Sequence, residues 1–174
     1  MLVATDRLTR LSIIWETNTF TVPRIDDKPS VLHKVYDLWA DLSTRIGGAD
    51  TSIYIQSIPP SPPTSQPNSF GVLPSSQPQK NHVLFQVVVA YKSPLHTRIL
   101  EHLVKEFVQD VDELTRREGA FVSFKYANYA GWFRNIWESN GREGMLVEKL
   151  RNVSRQYDPG GMFQKQVPGG WKLF

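Results

Sequence analysis

His82-Val83-Leu84-Phe85-Gln86-Val87-Val88-Val89-Ala90-Tyr91 is apolar at both odd and even positions and rich in β-branched residues. Such a run predicts a central strand covered on both sides, or covered by protein on one face and by a ligand or partner on the other. Ser93-Pro94 comes next, a capping residue with proline at the first turn, and opens a long helix. Leu95, Ile99, Leu100, Leu103, Val104, Phe107, Val108, Val111 and Leu114 trace one stripe along it. Glu101, Lys105, Asp112, Arg116 and Arg117 are assigned to the watery side, and Gly119 ends the helix. Residues 121–126 then return as a strand.

Upstream the same order occurs. Residues 8–22 read as a strand bent near Asn18, with Leu11, Ile13 and Trp15 on one face and Ile14, Phe20 and Val22 on the other. Ser30 stands as an N-cap before Val31, Leu32, Val35, Tyr36, Leu38, Trp39, Leu42 and Ile46, which recur at helical spacing up to Gly47-Gly48. Residues 51–58 alternate as a half-buried strand. Two strand-helix-strand units in tandem predict an α+β fold, a sheet of four or more strands with amphipathic helices on one face, in the manner of ferredoxin-like folds. Pattern leaves the strand order open. Residues 59–79, dominated by Pro, Ser and Gln, read as a surface loop inside one domain spanning 1–174, because neither half is large enough to close a core alone. A last helix and an apolar tail occupy 142–174.

Bulk properties exclude several classes. The chain has 174 residues, 40% hydrophobic, and a net charge of +3 without a run of like charges, so nucleic acid is not an implied partner. It contains no cysteine, which removes disulfides, thiolate nucleophiles and Cys-ligated metals. The four histidines His33, His82, His96 and His102 have no metal-ligand spacing. No signal peptide or spanning segment is read, so a cytoplasmic protein without membrane contact is expected. Gly-x-Ser-x-Gly, Gly-x-Gly-x-x-Gly and Walker motifs are missing.

The chemically suggestive cluster is Tyr126-Ala127-Asn128-Tyr129-Ala130. As the end of a strand it would send Tyr126 and Asn128 to one side and Tyr129 to the other, so a phenol and an amide would face one ligand. A tyrosine accepts a proton near neutral pH only where a cation, a second phenol or a cofactor favours the phenolate, and Lys125 and Arg134 are the nearby cations. Spacing alone equally fits aromatics packing a sheet edge.

These residues, together with Trp39, Asn68-Ser69-Phe70-Gly71-Val72, Lys149-Leu150, Tyr157-Asp158-Pro159-Gly160-Gly161-Met162-Phe163-Gln164 and Pro168-Gly169-Gly170-Trp171-Lys172-Leu173, resemble the C-terminal half of FAD-linked oxidoreductases. The resemblance is to the berberine-bridge-enzyme-like branch of the vanillyl-alcohol-oxidase superfamily, fungal members above all, and covers about residues 11–174. It implies the substrate domain, an antiparallel sheet backed by helices, from enzymes of specialised metabolism that oxidise a small molecule by hydride transfer. It places Tyr126 and Asn128 beside the flavin, with Tyr126 the preferred base and Tyr129 the alternative. It also makes Phe85, Val87, Val89 and Tyr91 part of the substrate wall. The family's N-terminal flavin domain has no counterpart in the 174 residues, so a truncated homologue that does not hold FAD alone is expected. Ser139-Asn140-Gly141 and Gly144 depart from the family's Tyr-Gly and Asn before the last helix. Two other expectations stay open: a cofactor-free isomerase or cyclase that reuses the pocket, and a non-catalytic partner of a separate flavin domain or of a second copy. Family members are often secreted.

Overall fold

The computed structural model describes residues 12–21, 31–58, 82–137 and 145–174. The Pro-rich loop at 59–79, the Ser30 cap and the Asn68-to-Val72 segment lie outside the described residues. The elements in order are β1 (Ser12–Thr21), α1 (Val31–Arg45), β2 (Asp50–Ile58), β3 (His82–Tyr91), a 3-10 turn at Pro94–His96, α2 (Thr97–Arg117), β4 (Phe121–Val122), α3 (Met145–Tyr157) and the short α4 (Met162–Lys165). The sheet order is β2-β3-β1-β4 and every neighbouring pair is antiparallel. This is the split β-α-β arrangement, in which α1 and α2 each connect strands that are not neighbours.

The apolar run at 82–91 is the centre of this sheet. β3 pairs with β1 from Ser12↔Tyr91 to Thr21↔His82, and with β2 from Asp50↔Ala90 to Ile58↔His82. The β1 ladder passes through Asn18↔Phe85 without a break in register, so the expected bend near Asn18 does not interrupt pairing. Val83, Phe85, Val87, Val89 and Tyr91 join the core formed with α1 and α2, and Leu84, Gln86 and Val88 on the opposite face are buried as well. A strand covered on both faces has no solvent side to alternate with, which is why its sequence shows no period of two.

α1 buries Val31, Val35 and Leu42, and its end is closed by Gly48 at φ +79°, a left-handed position that costs glycine little. α2 buries Leu100, Val104, Phe107, Val108, Val111 and Leu114. Two residues at the start of its predicted stripe do not conform. Leu95 is 88% exposed and Ile99 64% exposed. Leu95 belongs to the 3-10 turn, and Ile99 lies about 100° round the helix from Leu100, away from the line of contact. Asp112, assigned to water, is buried instead. The predicted strand at 121–126 shortens to Phe121–Val122, paired with Phe20 and Thr19. No helix among the described residues is long and apolar enough to cross a membrane.

Ion pairs flank the apolar seam between the two helices: Lys34 Nζ to Glu118 Oε1 at 2.5 Å and Arg45 Nη2 to Glu106 Oε2 at 2.6 Å. The hydrogen bond from Arg45 holds the Glu106 carboxyl below its ordinary value of 4.5. A lowered folded-state value means that the pair stabilises the fold above the unfolded value and loses that contribution as pH falls through the folded one. Glu106→Gln is expected to lower Tm slightly at pH 7, because an exposed, salt-screened pair contributes little, and to lower it by less at about pH 3. Thermal scans at the two pH values check this, and equal losses at both would assign the effect to packing.

Candidate functional site

The chain leaves the sheet after Val122 and continues through turns. Tyr129 N–H donates to the Tyr126 carbonyl at 3.0 Å, closing a turn with the two tyrosines at its ends. Their rings meet edge to face with centroids 4.9 Å apart, and Asn128 Nδ2 donates to the Tyr126 phenol oxygen at 3.0 Å. Strand parity therefore does not apply here. Asn128 and Tyr129 line a cleft of about 360 Å³, whereas Tyr126 stacks on Tyr129 and is not among the lining residues. The volume falls in the range of small-molecule sites.

The cleft lies where the 128–133 loop faces α2 and the end of β3. Ile14, Tyr91, Glu101, Trp132 and Phe133 complete its walls with Ala130 and Gly131. Tyr91 donates its hydroxyl to Thr97 Oγ1 at 2.9 Å, joining the end of β3 to the start of α2. Trp132 Nε1 donates to Glu101 Oε1 at 3.1 Å, and Lys105 Nζ lies 4.7 Å from the ring centroids of both Trp132 and Phe133. Cations over aromatic faces are attracted by the ring quadrupole, so one turn of α2 grips both rings. Of the four wall residues expected from β3, only Tyr91 borders the cleft. Phe85, Val87 and Val89 are core residues beneath the helices, because odd positions of β3 all face the helix layer.

Lys125 and Arg134, nominated as cations that would favour a phenolate, turn to Asp112. Lys125 Nζ meets Oδ1 at 2.9 Å and Arg134 Nη1 meets Oδ2 at 3.2 Å. The tail closes the loop from the other side: Trp171 Nε1 donates to the Ala127 carbonyl at 2.9 Å and Trp137 Nε1 to the Lys172 carbonyl at 2.8 Å. The tail is held by these hydrogen bonds rather than by apolar burial, since Met162, Phe163, Val167 and Phe174 are exposed. A second cleft of about 650 Å³ opens between Trp132, Trp137, Trp171, Arg151 and Phe174, sharing the Trp132 wall.

Sequence pattern does not mark Asp112, Glu101 or Trp132 as members of the site. Trp132 is visible there only as part of an aromatic loop, and the role of Asp112 depends on residues 13 and 22 positions away. No group of three or more His, Asp or Glu side chains suited to a metal occurs among the described residues.

Over part of its length the chain is similar to FAD-dependent oxidoreductases of fungi. It is 40% identical over 76 residues to the FAD-dependent monooxygenase drtC of Aspergillus calidoustus, which is 43% of this chain and 14% of the relative. It is 37% identical over 75 residues to the FAD-dependent monooxygenase sdcF of Emericella nidulans, 43% of this chain and 15% of the relative. With the FAD-dependent monooxygenase tpcD of Cochliobolus heterostrophus the identity is 41% over 58 residues, 33% of this chain and 11% of the relative. The chain spans less than a fifth of the length of these curated relatives. No protein-family model and no solved structure matches it.

Among the described residues no glycine-rich turn leads into a helix longer than four residues. A pyrophosphate is commonly cradled by a glycine-rich turn at a helix N-terminus. Of the described glycine pairs, Gly47-Gly48 follows α1, Gly169-Gly170 lies in the tail with no helix after it, and Gly160-Gly161 precedes the four-residue α4, whose N–H groups at Met162 and Phe163 already donate to the Asp158 carboxylate at 2.8 and 3.0 Å.

Asp112→Ala is expected to lower unfolding free energy by about 3–5 kcal/mol, because it strips a carboxylate from two basic side chains in a largely buried site. Urea denaturation measures this, and a loss below about 1 kcal/mol would show that the cluster relaxes into solvent at little cost.

Proposed function

We propose that this chain forms the substrate-side wall of an FAD-linked oxidoreductase of fungal specialised metabolism, in the berberine-bridge-enzyme-like branch. The observation that carries this reading is the cleft at the Tyr126-to-Tyr129 turn, where a phenol, an amide and a carboxylate converge on one small-molecule-sized space. Similarity to fungal FAD-dependent monooxygenases supports the choice of chemistry.

In this reading Tyr129, the alternative base, takes the role that the resemblance gives first to Tyr126. It borders the cleft, and because the other phenol there, Tyr91, commits its hydroxyl to Thr97, Tyr129 is the one that exchanges a proton with the substrate as oxidation proceeds. Tyr126 is a positioning residue that packs against the Tyr129 ring and receives the Asn128 amide. Asn128 orients the substrate through its remaining polar atoms. FAD, when bound, supplies the two-electron acceptor, and its phosphates are held by groups other than the described residues. Trp132 and Phe133 exclude water from one side of the cleft.

Two measurements test this. Titration of free FAD with the chain alone is expected to show no saturation in the low-micromolar range; a dissociation constant there, near −8 kcal/mol, would overturn the division of labour. In a hybrid joining this chain to the rest of the Aspergillus calidoustus relative, Tyr129→Phe is expected to slow flavin bleaching by substrate roughly 10²- to 10⁴-fold at unchanged FAD content. Bleaching at the parental rate would remove Tyr129 from the chemistry.

A further inference from the structure

The charge distribution around the cleft points to the kind of molecule it takes. Of the described residues bordering it, Glu101 alone carries a charge. One acceptor position of its carboxylate receives Trp132 Nε1 at 3.1 Å. A carboxylate offers about four such positions, so further acceptor capacity remains at the wall of the cleft. Lys105, one helical turn further along α2, is directed over the Trp132 and Phe133 rings. Those two rings stand nearly perpendicular, at 85° with centroids 6.0 Å apart, and Tyr129 and Tyr91 add further aromatic surface.

We propose that Glu101 is a specificity-determining residue of this cleft, which admits a flat aromatic molecule bearing a phenol-type hydroxyl and rejects the corresponding carboxylate. The inference rests on the reading of the cleft as a substrate site. Four aromatic side chains, Tyr91, Tyr129, Trp132 and Phe133, supply surface for a planar ring through stacking and edge contacts. A hydroxyl donor satisfies the Glu101 carboxylate, whereas a ligand without one strips water from that oxygen and returns no bond. An anionic ligand adds like-charge repulsion to the same loss. Trp132 holds the carboxylate in place through its indole N–H, so the aromatic wall and the acceptor form one unit.

Three probes of the same ring system separate these terms: 2-naphthol, 2-methoxynaphthalene and 2-naphthoate. Each is titrated into the full chain and monitored by amide NMR, with Glu101→Gln as the comparison. The glutamine keeps an acceptor for Trp132 Nε1 and removes the charge, and an unchanged Trp132 indole resonance and Tm confirm that the wall is intact. For the parent chain, shifts are expected at residues 128–133, with 2-naphthol binding about tenfold more tightly than either other probe. In Glu101→Gln the preference over 2-naphthoate is expected to fall to about threefold or less, within the spread of a single neutral contact. Equal affinities for the three probes, or a naphthol-to-naphthoate ratio unmoved by the substitution, would overturn the assignment to Glu101 while leaving the cleft a binding site. Absence of shifts at 128–133 with all three probes would overturn the cleft reading and this inference with it.

Discussion

The segment from residue 123 to 134 has no regular element of its own, and its two ends are tied to α2 through the Asp112 carboxylate, which receives Lys125 at 2.9 Å and Arg134 at 3.2 Å. Taking charges out of water is expensive, and their mutual attraction offsets that cost only in good geometry. The pairs therefore stabilise one loop conformation by making every other one costly. The turn carrying Tyr126 and Tyr129 lies between the two anchored points, so the cleft inherits its shape from a contact outside its own lining.

Aromatic residues carry the rest of the loop's order. Trp171 and Trp137 each commit an indole N–H to a carbonyl across a long sequence gap, 44 and 35 residues respectively, so the tail and the loop hold each other. Trp132 commits its N–H to Glu101 and remains 71% exposed. A large ring kept at the surface by a hydrogen bond and a lysine is shaped by something other than core packing, since indole burial would otherwise be favoured. The position of Trp132 on the rim of both clefts agrees with a role in contact with small molecules.

Much of the fold is legible from residue order. The α+β class and the boundaries of α1 and β2 come from local periods of two and 3.6 and from capping glycines. β3 is legible for the opposite reason, the lack of any period, which only two-sided cover explains. The candidate site is less so. Tyr129 and Asn128 are visible as residue types, but reading 121–126 as a strand assigns Tyr126 to the ligand, and assigning the β3 wall to substrate places Phe85, Val87 and Val89 in a site when they are core.

Residue order is enough to establish which segments bury an apolar face and which chemical groups cluster near position 126, because periodicity and composition are local properties of a chain. That Tyr129 and not Tyr126 lines the cleft, and that Asp112 is buried while Ile99 is not, were settled only when distant segments came together. Asp112 lies about 120° round α2 from Leu100, and the side of a helix that a loop will cover leaves no trace in its period. The arrival of Lys125 and Arg134 turned that position from solvent-facing into the anchor of the site.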